Sequence, residues 1–200
     1  MNQKAQPETP RTVGIILFTG VEPLDFAGPY EVLSGARDDD GPLFRVDTVA
    51  EASPVTCQFG LRVLPDRVFA DRPEFDILVV PGGPGTRIEE PKVRPTVEFI
   101  RRAAGRAQLV AGVCTGTYLM AMAGLTTGRR VATHHAYRQA LRERYADLSV
   151  TDDKVVHDGE IITAAGVSSG IDMALYLVQL LHGPEAEARE RRRIEYGIHI

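Results

Sequence analysis

The chain has 200 residues, 44% hydrophobic and 25% charged, with a formal net charge of -4 at pH 7. That mixture suits one globular domain able to bury a sizeable core, and it lacks the basic excess that draws nucleic acid or an anionic membrane. No stretch approaches the roughly 18 apolar residues of a spanning helix, the start MNQKAQPETPR lacks the apolar centre of a secretory signal, and Cys57 and Cys114 read as free thiols of a cytoplasmic protein.

Residues 1–11 are polar and contain proline, and read as a loose leader to a single α/β domain over 12–183. TVGIILF (12–18) is a β-branched run ending at Thr19-Gly20, which predicts a strand. DFAGPYEVLSGA (25–36) predicts a helix with an irregular start at Gly28-Pro29. Apolar runs recur at FRVDTVA (44–50), LRVLP (61–65), FDILVVPGG (75–83) and QLVAGV (108–113), with a helical spacing over 93–105 that ends at Gly105. Beyond Cys114, TGTYLMAMAGL predicts a short helix stopping near Gly124. RRVATHH predicts a strand, 136–145 an amphipathic helix, and KVVHDGEIITAAG a hairpin about Asp158-Gly159. Ser169 to Asp172 has the form of a capping box opening an apolar helix to about Leu181. In the charged tail, 184–200, Arg189 and Arg191 to Arg193 have acidic neighbours, and the segment reads as a partly helical, solvated surface rather than a nucleic-acid contact.

Strands that are apolar throughout need cover on both faces, and interleaved helices imply parallel crossovers; together they predict an α/β sandwich. Ligands of such sheets lie beyond the carboxyl ends of the strands. There the order of elements gathers Glu22 and Asp25, Gly82 and Gly83, Cys114, and His134 with His135. Gly112-Val113-Cys114-Thr115-Gly116 has the G-x-nucleophile-x-G form of a nucleophile elbow, with cysteine where serine often stands. A tight strand-to-helix turn would hold the sulfur out at the strand tip, and the helix N-terminus would favour the thiolate, drawing its pKa below about 8.5. The amides of Thr115 and Gly83 are candidate donors to a developing anion. Asp25 reads either as a helix N-cap or, if buried beside the thiol, as a proton-exchanging carboxyl; Glu22 competes for the second role. His134 and His135 could line the pocket, one of them as general base, although adjacent side chains on a strand point apart. Cys57 reads as structural. The cysteines and histidines lack the paired spacings of a structural metal site, so no metal is expected.

The stretches VGIILFTGVEPLDFAGPYEVL, DILVVPGG, AGVCTGTYLMAMAGLTTGRRVATHH and ITAAGVSSGIDMALYLV resemble the ThiJ/PfpI superfamily, from about residue 12 to 181. The resemblance implies a flavodoxin-like, three-layer α/β/α sandwich of the class I glutamine amidotransferase type. LDFAGPYEV and VCTGT…ATHH are similar to the subgroup that holds isonitrile hydratase and the sensor domains of AraC-type regulators. By that resemblance Cys114 is the nucleophile, Asp25 its carboxylate partner, Thr115 the neighbouring active-site residue, and Gly82 and Gly83 the backbone-donor segment. The same resemblance implies a homodimer acting on a small molecule with no cofactor. Hydration of an isonitrile is the leading expectation. A cysteine hydrolase or glyoxalase/deglycase-like enzyme and a redox or ligand sensor are the alternatives. Too little chain follows the last core helix for a helix-turn-helix DNA-binding domain.

Overall fold

The computed structural model describes residues 9–87 and 90–197, and its strands follow the apolar runs. They are β1 (Arg11–Leu17), β2 (Phe44–Ala50), β3 (Val55–Thr56), β4 (Arg62–Val63), β5 (Arg67–Val68) and β6 (Ile77–Val80), then β7 (Leu109–Val113), β8 (Arg130–Val131), β9 (Ser149–Val150), β10 (Val155–Asp158) and β11 (Ile161–Ala164). The helices are α1 (Pro23–Gly35), α2 (Glu90–Ala104), α3 (Gly116–Met122), α4 (Arg138–Arg144), α5 (Ser169–His182) and α6 (Pro184–Arg193). Part of the leader, residues 1–8, and the end of the tail, 198–200, lie outside the described residues.

The central sheet runs β10-β11-β7-β6-β1-β2-β5, parallel except for β10, which pairs antiparallel with β11 at one edge. Side chains alternate between two cores. Val13, Ile15 and Leu17 of β1 join Val79, Val113 and the α1 and α5 residues Val32, Leu33, Met173 and Leu177, whereas Ile16, Leu78 and Val80 face Val97, Ile100, Leu119 and Met120 of α2 and α3. Burial on both faces is why these strands read as continuous apolar runs. This is the expected flavodoxin-like three-layer sandwich. The chain leaves β1 toward β2 on one side and β6 toward β7 on the other, so the ends of β1 and β6 border a topological switch point.

Several expectations need correction. The 61–65 run contributes only β4, which pairs with β3 in a small separate hairpin; Leu61 and Leu64 remain exposed. RRVATHH also stays outside the central sheet, because β8 is only two residues long and pairs with β9. It is nevertheless tethered to that sheet, since the Ala132 amide donates to Thr163 Oγ1 at 2.8 Å. α1 begins at Pro23, whose fixed φ suits a first turn, and carries Pro29 inside. Gly28 and Gly170 let α1 and α5 approach closely, against Ile171 and Pro29 respectively. No capping box opens α5: Ser168 occupies the cap position without a side-chain cap bond, and Asp172 instead binds Lys154 Nζ at 2.7 Å and the Tyr196 hydroxyl at 3.0 Å. Nor is the tail simply solvated. Glu190 of α6 is buried and held by Arg193 at 2.7 and 2.9 Å, while Arg193 also reaches Glu31 of α1 at 2.9 Å.

Candidate active site

Cys114 follows directly on the end of β7, and its φ of 58° lies in the left-handed region that costs a non-glycine residue about 1–2 kcal/mol. Its backbone is fixed on both sides. The Cys114 amide donates to the Ala164 carbonyl at 3.0 Å, and its carbonyl accepts from Thr133 Oγ1 at 2.8 Å and Thr117 Oγ1 at 3.4 Å. The expected elbow is therefore present, and it directs the sulfur into a cavity of about 180 Å³. Glu22, Gly83, Arg87, Thr115, His134 and Tyr137 share the wall of that cavity. A separate cavity of about 120 Å³, walled by Leu17, Ala50, Val93 and Leu119 among others, contains no predicted site residue.

Asp25 is fully buried at the third position of α1, not at its N-cap, which is Glu22. Asp25 Oδ2 accepts from the Gly82 amide at 2.9 Å, but Oδ1 is buried without a hydrogen-bond partner. Burial pushes the Asp25 carboxyl up to about 7; the Gly82 amide opposes that rise and the charge of Glu22 adds to it. Glu22 is itself raised by burial. The Cys114 thiol, 5% exposed, is pushed up to about 12, first by burial and then by the charge of Asp25. Thr115, through its amide and hydroxyl, favours the thiolate and offsets only part of this. The expectation of a thiol drawn toward neutrality is thus overturned: desolvation and a facing carboxylate outweigh the helix N-terminus. The carboxyl of Asp25 and the Cys114 thiol each shift the other, so they titrate as a pair.

The glycine pair differs from expectation as well. The Gly82 amide is committed to Asp25, and the Gly83 amide donates to Thr115 Oγ1 at 2.9 Å, leaving Thr115 as the expected anion donor still facing the sulfur. Gly82 and Gly83 position the carboxyl and the threonine from behind. His134 lines the cavity, but its Nδ1 accepts from the Ala136 amide at 3.2 Å, which fixes a neutral ring with the proton on Nε2. Burial lowers its pKa, followed by the charges of His135, Arg87 and Arg138. The two histidines do not point apart, because they sit at a 3-10 turn; their rings stack with centroids 4.3 Å apart, and His135 lies outside the cavity wall. Among the described residues, no three His, Cys, Asp or Glu side chains gather in a metal-holding group, and no helix is long and apolar enough to cross a membrane.

Residues 11–180 match the model of the DJ-1/PfpI family. The chain belongs to that family. It is similar to the isonitrile hydratase of Pseudomonas putida, 38% identical over 187 residues that cover 92% of this chain and 78% of the relative. It is also similar to the HTH-type transcriptional regulator CdhR of Pseudomonas aeruginosa, at 31% over 184 residues and 91% of this chain, but spans only 54% of that regulator's length. A ThiJ/PfpI family protein from Pseudomonas syringae shares the fold, with a TM-score of 0.83 at 24% identity, covering 100% of this chain and 84% of the other. Within this DJ-1/PfpI cavity, sequence reasoning missed Arg87 and Tyr137. Arg87 ends the short 3-10 turn that follows Gly83, and Tyr137 falls in the stretch read as the 136–145 helix but sits in the turn before α4, so no motif marked either one.

Proposed function

We propose that this DJ-1/PfpI protein is a cysteine-dependent isonitrile hydratase-like enzyme that adds water to an isonitrile and releases an N-substituted formamide. The observation that carries the reading is the buried carboxyl of Asp25, raised to about 7 and left with an unpartnered oxygen, interacting with the Cys114 thiol. The likeness to an isonitrile hydratase supports it. Between the two titrations the pair holds one proton. Sγ of Cys114 attacks the terminal isonitrile carbon as its proton passes to Asp25, and Asp25 returns that proton to the same carbon, forming a thioformimidate. Water then adds to this carbon. One of its protons reaches the nitrogen, the other returns to the Cys114–Asp25 pair, and the C–S bond breaks to free the formamide. The Thr115 amide, facing the sulfur, supports the departing thiolate. His134, neutral and tied through Nδ1, is a wall rather than the base. These steps require no metal or organic cofactor, and the cytoplasm would keep the thiol reduced.

The direct test follows loss of p-nitrophenyl isocyanide and appearance of its formamide at neutral pH. Formamide is expected to form catalytically. Its absence, with Cys114 shown to be reduced, would overturn the reading.

A homodimer belongs to the same proposal. α1 exposes Leu24 and Tyr30, and the 3-10 turn at 58–60, bonded to Val21 ahead of α1, exposes Phe59 at 84%. Light scattering is expected to give twice the chain mass of 21.9 kDa, reduced by Leu24→Glu with Phe59→Asp; a wild-type mass of one chain would remove the dimer.

A further inference from the structure

Arg87 stands at the wall of the Cys114 cavity with its guanidinium 3.9 Å from the centroid of the Tyr137 ring. The platform under it is anchored: the Tyr118 hydroxyl, on a buried α3 residue, donates to the Tyr137 carbonyl at 2.8 Å. Among the described residues no carboxylate pairs with Arg87, whereas Arg129, Arg138 and Arg193 each hold one. A guanidinium stacked by its face keeps its in-plane N–H donors available to a planar anion. The other ionisable groups of the wall do not duplicate it. Glu22 is a carboxyl, and His134 is held neutral by burial and by its neighbours' charges, Arg87 among them. The cavity therefore combines one nucleophile with one oriented cation.

We infer that the cavity selects small substrates that carry a carboxylate at the end away from the reacting carbon, and that Arg87 binds this carboxylate. The inference rests on the proposed hydratase reading for the reactive end and adds the class of its substrate, a carboxylate-bearing isonitrile. Arg87 acts in specificity; the bond-making groups remain Cys114 and Asp25.

The test uses two thiol reagents of nearly equal size, anionic iodoacetate and neutral iodoacetamide, each of which alkylates Cys114 by displacing iodide. Mass spectrometry of the Cys114 peptide gives the two rates, and glutathione supplies the ratio intrinsic to a free thiol. The iodoacetate-to-iodoacetamide ratio at Cys114 is expected to exceed that of glutathione, and to fall about tenfold in Arg87→Met while the iodoacetamide rate stays level. A ratio no higher than that of glutathione, or equal losses with both reagents, would overturn the inference. If Arg87→Met loosens the fold, alkylation of buried Cys57 will reveal it. Wild-type salt dependence then decides: the ratio should drop severalfold between about 0.05 and about 0.5 M NaCl, and a flat response would overturn the inference. Alkylation needs no turnover, so this result is independent of whether isonitriles are hydrated.

Discussion

Asp25→Asn should lower isonitrile turnover by about 10²–10⁴-fold and at the same time relieve the protein of a destabilising charge at alkaline pH. The first effect follows from the proposed proton path, because the amide can accept the Gly82 N–H bond but cannot take the thiol proton or return it to carbon. Turnover by Cys114→Ala should fall to background. In the wild type, kcat/KM should rise with pH through about 7, as the doubly protonated pair loses its first proton, and hold toward the thiol's titration near 12. The Asp25→Asn substitution removes that limb. The second effect follows from linkage. A carboxyl whose folded pKa is raised binds more protons in the native state, so its contribution is fully present below the unfolded value of 3.8 and is lost as pH rises through about 7. At about 1.4 kcal/mol per unit, stability of Asp25→Asn relative to wild type should improve by roughly 4 kcal/mol between pH 4 and pH 8. Urea unfolding of the two proteins at several pH values measures this. Parallel stability curves would show that Asp25 is not held at a raised pKa, and full activity in the Asp25→Asn enzyme would remove the carboxyl from the proton path.

The layered sheet and the position of the elbow were legible because both depend on local pattern. Continuous apolar runs specify two-sided burial, and Gly112-x-Cys114-x-Gly116 after such a run specifies a strand-to-helix turn. What stayed hidden depends on partners distant in the chain. Asp25 looks like a cap from its neighbours; only the approach of the first turn of α1 to the segment after β6 buries it against Gly82. The Gly83 amide looked free for an anion until the fold brought Thr115 Oγ1 to it across 32 positions. The titration of Cys114 was misjudged for the same reason, since the helix terminus is visible locally whereas desolvation and the charge of Asp25 come from packing. Tail docking is a further case, because the partners Glu31 and Arg193 are 162 residues apart.

The two glycines flanking the elbow, equivalent in the motif, should respond very differently to an added methyl group. A Cβ on Gly116 would collide with the carbonyl oxygens of Val80 and Pro81, the backbone at the tip of β6. Those atoms cannot step aside without moving the Gly82 and Gly83 amides that hold Asp25 and Thr115. A Cβ on Gly112 would instead meet the sulfur of Met120, a buried but flexible side chain that repacks at less cost than backbone. Gly116→Ala is therefore expected to lose about 3–5 kcal/mol of stability, a fall of roughly 10 °C in Tm, whereas Gly112→Ala should lose about 1 kcal/mol. Thermal melts of both variants measure the difference. Any Gly116→Ala protein that folds should also have a displaced Asp25, and its kcat/KM should lose its rise near pH 7. Equal, mild losses at the two positions would mean that the β6 tip yields readily and that the carboxyl is not rigidly held against the cysteine.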